Sequence, residues 1–156
     1  MSADWPVREA WDAMLAGVDC PLCGDFPEVD GYGYNVARLS KSLLRLARNQ
    51  YSAGYCVLVC TEHGPEPYSL SPADSAAYLQ DMSRAGAALE QVFGADKMNF
   101  LTLGNAVPHL HTHLIPRYHG DPAPGQPYLA EHAAEVTLTD TEYRDRVNRI
   151  RAALEV

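Results

Sequence analysis

The sequence contains no apolar run approaching the ~18 to 20 residues needed to cross a bilayer, which argues against a membrane span. Its first six residues, Met1 to Pro6, lack the basic stretch and apolar core of a secretory signal. Positive charge is scarce: 12 Lys and Arg stand against 20 Asp and Glu, for a formal net charge of -8. Such a surface repels a polyphosphate backbone, so a long nucleic acid is a poor partner. A small anion stays admissible, because distant surface charges are screened beyond ~8 Å at physiological salt and a few local donors then decide binding. Cysteines are few, at positions 20, 23, 56 and 60. Without secretion cues these read as reduced thiols or metal ligands in a cytoplasmic protein, not as a disulfide framework. No internal repeat is present, and 156 residues suit one domain spanning 1–156.

What is present reads as α+β. Apolar residues at helical spacing over about 5–15 predict a short helix that delivers the Cys20-Pro21-Leu22-Cys23-Gly24 knuckle. Two strands are expected within 34–46, broken near Ser40 and Lys41, and a third, β-branched and apolar, over 55–60 after Gly54. Ser71 as N-cap, Pro72 at the first helical position and Asp74 in the first turn open a long helix that should stop at Gly94. Strands are expected over 98–103 and 110–115, followed by a Pro/Gly loop over 119–128. Thr139 and Glu142 form a capping box that starts a terminal helix, about 139–154.

The segment His109-Leu110-His111-Thr112-His113 carries the chemistry. On a strand, alternate side chains share a face, so the three imidazoles would line one side while Leu110 and Leu114 enter the core. Two chemistries suit such a face. His109 and His111 could be ligands of a hydrolytic zinc, although no acidic residue lies in the segment to serve as base or further ligand. Alternatively, a neutral imidazole nitrogen attacks phosphorus and is later displaced by water, splitting one difficult substitution into two. Cys20-x-x-Cys23 is half of a zinc site or a redox pair, and its position after a helix and before a Gly/Asp/Pro loop favours zinc. A tetrahedral site needs two more ligands, for which His63 and His109 are taken. Cys56 and Cys60 lie four apart on one strand face and are expected to pack as small hydrophobes, while His119 and His132 are expected at the surface.

The stretch MNFLTLGNAVPHLHTHLIPR (98–117) resembles the signature of the histidine triad family, and GYCVLVCTEH (54–63) is similar to that family's strand ending in a histidine before its long helix. The resemblance covers about 18–120. It implies a five-stranded antiparallel sheet with a long helix packed on it and helices at both termini, a homodimer, and substrates that are small nucleotides substituted on the α-phosphate. It implies His111 as nucleophile, its second ring proton held by a backbone carbonyl. It implies His113 at the phosphate or leaving group, and Asn99 and Asn105 as neutral donors near the α-phosphate oxygens. Arg117, just past the strand, could pair with phosphate oxygens bidentately or stand as a solvated charge. In zinc-bearing branches the ligands resemble Cys20, Cys23, His63 and His109, which would make His109 a structural clamp. The chain departs from the family pattern in the 46–51 stretch, where many members carry a ribose-binding acid and this one has Leu-Ala-Arg-Asn-Gln-Tyr. Either Asn49 or Gln50 substitutes as a hydrogen-bonding group, or the ribose is held differently. Where some branches have a tryptophan after the triad loop, the nearest aromatic here is Tyr128, and Tyr32, Tyr34 and Leu39 are candidates for a base pocket or for the core. The expected activity is thus a nucleotide hydrolase or nucleotidyltransferase working through a nucleotidyl-His111 adduct. The alternatives are a zinc hydrolase using His109 and His111, or a nucleotide-binding module without turnover.

Overall fold

A computed structural model describes residues 4–156; residues 1–3, the start of the stretch read as lacking a signal, lie outside the described residues. Helix α1 (Arg8–Leu15) precedes strands β1 (Gly33–Arg38), β2 (Ser42–Ala47) and β3 (Cys56–Cys60). The long helix α2 (Pro72–Phe93) follows, then β4 (Lys97–Leu101), β5 (His111–Arg117) and α3 (Asp140–Leu154). The strands form one antiparallel sheet in the order β1-β2-β3-β5-β4. No helix of the described residues is long and apolar enough to cross a membrane.

The sheet has two unlike faces. Leu44 and Leu46 of β2, Cys56 and Leu58 of β3, and Leu114 of β5 are fully buried with Leu89 of α2 and Ile150 of α3. Each such leucine contributes about 1.5 to 3 kcal/mol by leaving water. Both long helices therefore cover the same face. Register places the alternate residues on the other side: Arg45 pairs with Val57, Val57 with His113, and Val59 with His111. Neither long helix lies on that side, and it is where Arg45, His111 and His113 collect.

Local signals explain the helix ends. Ser71 accepts from the Asp74 N–H and Gly94 closes α2 in the left-handed region. Both bonds of the Thr139/Glu142 capping box are present at α3. Helix α1 starts later than its periodicity suggests, at Arg8, because Val7 offers no capping side chain. Strand β4 ends at Leu101, since Thr102 turns its hydroxyl to Thr112. Strand β5 runs on through Pro116 to Arg117, because β3 has ended there and Pro116 has a ladder partner only in Met98 of β4. His109 lies just before β5 and outside the ladder, so the alternating-face argument holds for His111 and His113 alone.

Gly54, which leads into β3, has φ +89°, and a Cβ there would stand 2.5 Å from the Phe93 ring. Gly94 has φ +64° with nothing within 4 Å of its would-be Cβ. Both positions carry a left-handed penalty of about 1 to 2 kcal/mol for alanine, but only Gly54 adds a clash. Urea unfolding should therefore show Gly54→Ala losing clearly more stability than Gly94→Ala; equal losses would mean that Phe93 yields freely.

Candidate active site and metal-ligand cluster

Sequence positions 20, 23, 63 and 109 converge. One ligand atom from each of Cys20, Cys23, His63 and His109 lies within 4.8 Å of all the others. His109 Nδ1 is 3.5 Å from both sulfurs, His63 Nδ1 is 3.2 Å from Cys23 Sγ, and the two Nδ1 atoms are 3.3 Å apart. A tetrahedral zinc with Zn–S of about 2.3 Å and Zn–N of about 2.0 to 2.1 Å has N···S edges of about 3.5 Å and N···N edges of about 3.3 Å. The four edges given thus match those of such a polyhedron, and the other two are within 4.8 Å.

The outer nitrogens support the same reading. His109 Nε2 donates to the Cys60 carbonyl at 2.8 Å and His63 Nε2 to the Leu15 carbonyl at 3.0 Å. Each ring proton is thereby held on Nε2, leaving the Nδ1 lone pair toward the cluster, the tautomer control usual behind a metal-binding histidine. Burial pushes His109 down, favouring the neutral form a ligand needs. Burial and the neighbouring Cys20 raise the Cys23 thiol to about 11, a cost that a cation displacing its proton would offset. His111 is not in this cluster, so the geometry does not support a hydrolytic zinc held by His109 and His111.

His111 is tied to the cluster through the main chain. Its Nδ1 lies 2.6 Å from the carbonyl oxygen of His109. Only an N–H can face a carbonyl so closely, which fixes the proton on Nδ1 and leaves Nε2 with a lone pair. His113 follows on the same face, with ring centroids 5.4 Å apart. Burial first, and His111 second, depress His113 to about 4, so it is neutral at physiological pH. Beneath β5, the buried Thr112 hydroxyl bonds Tyr78 Oη and Thr102 Oγ1 at 2.9 and 2.8 Å, pinning the strand between the two histidines.

The remaining predicted contacts divide. Arg117 is not free for phosphate: Nε and Nη2 grip Asp121 bidentately at 2.6 and 2.8 Å. Its other N–H groups go to Asn99 Oδ1, Gln126 O and Ala123 O. All five donors of the guanidinium are used, so Arg117 fastens the loop after β5 and orients Asn99. With its oxygen held at 2.7 Å by Arg117, the Asn99 carboxamide keeps its NH2 group for a ligand and lines a cleft of about 840 Å³ along β4. Asn105 is exposed in the loop before β5. Asn49 also departs from its expected role, since its Oδ1 accepts from the Tyr51 and Val136 N–H groups and stitches residue 136 to the turn after β2. Gln50, the other candidate ribose group, is buried and bonded to the Ala47 and Tyr55 carbonyls.

Two features escaped the sequence reading. Tyr55 Oη lies 2.7 Å from His113 Nδ1, and Tyr51 packs edge-on against both Tyr55 and Tyr128. Tyr128 thus does reach the triad side. The second is an apolar cleft of about 290 Å³ walled by Leu22, Phe26, Tyr32, Val57, Val59 and Val107, with Arg45 as its charged residue. Val57 and Val59 are the ladder partners of His113 and His111, which places this cleft beside the triad. Of the aromatic candidates only Tyr32 lines it; Tyr34 and Leu39 belong to the core. Alternation within 55–60 could have shown Tyr55, Val57 and Val59 on one face, but not that the face was the triad's.

The profile of the HIT domain matches residues 35–120. Among solved structures, the chain is similar to a histidine triad protein from Bradyrhizobium japonicum, with a TM-score of 0.74 at 23% identity, covering 84% of this chain and 97% of the other. A histidine triad protein from Sinorhizobium meliloti gives 0.71 at 28% identity over 78% and 89%. A Zn-bound histidine triad family protein from Mycobacterium smegmatis gives 0.59 at 19% identity over 94% and 92%. A search of curated proteins returns no match.

The Arg117–Asp121 pair has a pH signature. The guanidinium holds the Asp121 carboxyl down at about 2, so the pair stabilises the fold fully above the ordinary carboxylate range and loses that contribution as pH falls through about 2. Asp121→Asn should therefore be less stable than the parent by a constant margin above about pH 5, and the margin should shrink between about pH 4 and 2. Urea midpoints across that range measure it, and a margin that grows on acidification would refute the assignment.

Proposed function

The chain belongs to the HIT domain family, a family of nucleotide-binding proteins and nucleotide hydrolases, and from that membership we propose that it is a nucleotide hydrolase or nucleotidyltransferase acting through a covalent adduct on His111. The observation that carries this reading is the 2.6 Å contact between His111 Nδ1 and the His109 carbonyl, which leaves Nε2 unprotonated. In the first step the Nε2 lone pair attacks the α-phosphorus, the bond from phosphorus to the leaving oxygen or nitrogen breaks, and that atom departs with the electron pair, a leaving nitrogen taking up a proton from solvent. His113, kept neutral by burial, donates an N–H hydrogen bond to a phosphate oxygen or the leaving atom. The Asn99 carboxamide, oriented by Arg117, supplies a neutral donor of the kind that stabilises developing charge in a dry site. Water then attacks phosphorus in line, the P–N bond breaks with its electron pair returning to His111 Nε2, and a proton of the water passes to solvent, yielding the nucleoside monophosphate.

The apolar cleft beside the triad suits the nucleoside, its aromatic walls Phe26 and Tyr32 giving the base a flat contact. Candidate substrates are dinucleoside polyphosphates, nucleoside phosphoramidates and adenylated metabolites. Structural zinc fits Cys20, Cys23, His63 and His109, where it would hold the knuckle against the start of β5. We also carry over the family's homodimer and a cytoplasmic setting, the latter consistent with four free cysteines.

Replacing His111 with Ala should abolish release of nucleoside monophosphate across a panel of those substrates, with the parent showing a mass increment of one nucleotidyl group under rapid quench. Turnover retained in His111→Ala would end the covalent proposal, and nucleotide binding without any adduct would favour a module without turnover. The metal is tested separately: the parent should hold about one zinc per chain, Cys20→Ser and His63→Ala should lose it, and a chelator should lower thermal stability. Full zinc content in both variants would remove the assigned ligands.

A further inference from the structure

We propose that Tyr55 is a positioning residue that fixes the proton of His113 on Nε2, so that the two triad rings present opposite tautomers to one bound phosphate. The proposal deepens the functional reading above and rests on it for its kinetic consequence, but not for its geometry. His111 donates its Nδ1–H to the His109 carbonyl and turns an Nε2 lone pair outward. His113 makes its corresponding Nδ1 contact not with a carbonyl but with the Tyr55 hydroxyl, at 2.7 Å.

The direction of that bond follows from chemistry. A phenol is a good donor and a poor acceptor, since its oxygen lone pair is delocalised into the ring, whereas a neutral imidazole nitrogen is a good acceptor. Were His113 to donate instead, the phenol hydrogen would need another acceptor, and among the described residues Tyr55 Oη has no second partner. Tyr55 therefore donates, His113 Nδ1 accepts, and the proton stays on Nε2.

The tyrosine is itself held. Its ring lies nearly parallel to His113, with 6.0 Å between centroids and 24° between planes, and Tyr51 packs edge-on against it at 5.2 Å. Its backbone is fixed by Gln50, whose Nε2 donates to the Tyr55 carbonyl at 2.9 Å and whose Oε1 accepts from the Gly54 N–H and from Arg146 of α3. The hydroxyl is thus anchored from the turn after β2 and from the C-terminal helix. The result is a lone pair and an N–H side by side on one face: an attacking atom on His111 and a donor on His113.

The test compares the zinc-loaded parent with Tyr55→Phe, labelled with 15N-histidine, by long-range proton–nitrogen correlation of the ring nitrogens. The parent should show His113 with Nδ1 as acceptor and Nε2 protonated. In Tyr55→Phe the His113 pattern should move to a tautomer mixture while His111 keeps Nδ1–H, and kcat on a nucleoside 5′-phosphoramidate should fall about tenfold or more with KM changed far less, as for loss of an aligned hydrogen-bond donor to the transition state. Tyr51→Phe, whose hydroxyl serves the Tyr128 carbonyl, should leave the His113 pattern intact. Replacing Tyr55 by 3-fluorotyrosine keeps the fold and the donor, and should preserve the tautomer. An unchanged His113 spectrum and unchanged kcat in Tyr55→Phe would overturn the proposal, as would a parent spectrum with the proton on Nδ1. If no substrate is turned over by the parent, the functional reading fails while the spectrum still decides the tautomer.

Discussion

His109 is the residue on which the site depends, and it acts with three different atoms. Its Nδ1 completes a four-atom cluster with Cys20, Cys23 and His63, its Nε2–H is held by the Cys60 carbonyl of β3, and its own carbonyl holds the proton of His111. A backbone carbonyl can set a neighbouring tautomer only if the peptide carrying it cannot rotate. Here the ring of the same residue is fixed on both nitrogens, so the peptide has little freedom left. The metal-ligand cluster and the proposed nucleophile are therefore one construction, in which rigidity passes through a single residue and no charge needs to be transmitted. Such a clamp sits outside the reacting atoms, so its loss would loosen the nucleophile without removing it.

The division of the sheet into a covered and an open face makes this possible. Helices α2 and α3 both lie against the Leu44, Leu58 and Leu114 side, which gathers the apolar area needed for stability. The opposite side is relieved of that duty and can carry Arg45, His111 and His113 among aliphatic neighbours. Helix α3 lies beyond the residues matched to the family domain, yet it is fastened to the same frame. Arg151 donates to the Val36 and Asn35 carbonyls at the β1 irregularity, and Arg146 reaches Gln50 below Tyr55. Polar side chains in α3 thus stabilise irregular backbone of the sheet, and one of them supports the aromatic group behind His113.

Legibility from sequence followed the range of the physics involved. Caps are local, so Ser71, Thr139 and Gly94 could be read directly. Strand identity was equally plain in Cys56 to Cys60, where β-branched and apolar residues alternate through a buried position. The zinc-type ligand set was accessible only because its spacing resembled a known pattern; nothing in periodicity joins residue 20 to residue 109. What was hidden depended on partners far apart in the chain. Arg117 looked like a phosphate ligand because an arginine after a catalytic strand is an apt donor, but Asp121 and two loop carbonyls already occupy it. Asn49 looked like a ribose group for want of an acid nearby, and its oxygen is spent on Val136. Tyr55 was passed over because its significance lies in register, which puts residue 55 beside residue 113 only once β3 and β5 are paired.

The saturation of Arg117 bears on how an acidic protein can process an anion. The guanidinium on the site side is balanced by Asp121, and Arg45 is paired with Asp30 at 2.9 Å. The three groups proposed to meet a phosphate are neutral: the His111 lone pair, the His113 N–H and the Asn99 amide. A free cation would attract the ground-state phosphate as well as the transition state, and binding both equally adds nothing to turnover. Oriented dipoles avoid this, because they are fixed in place before the reaction and respond most to charge that appears at the oxygens they face. On this view the hydrogen-bonded, neutralised side chains around the triad leave His111 Nε2 approachable, and the positioning of each dipole, down to the proton on His113, matters more than the net charge of the protein.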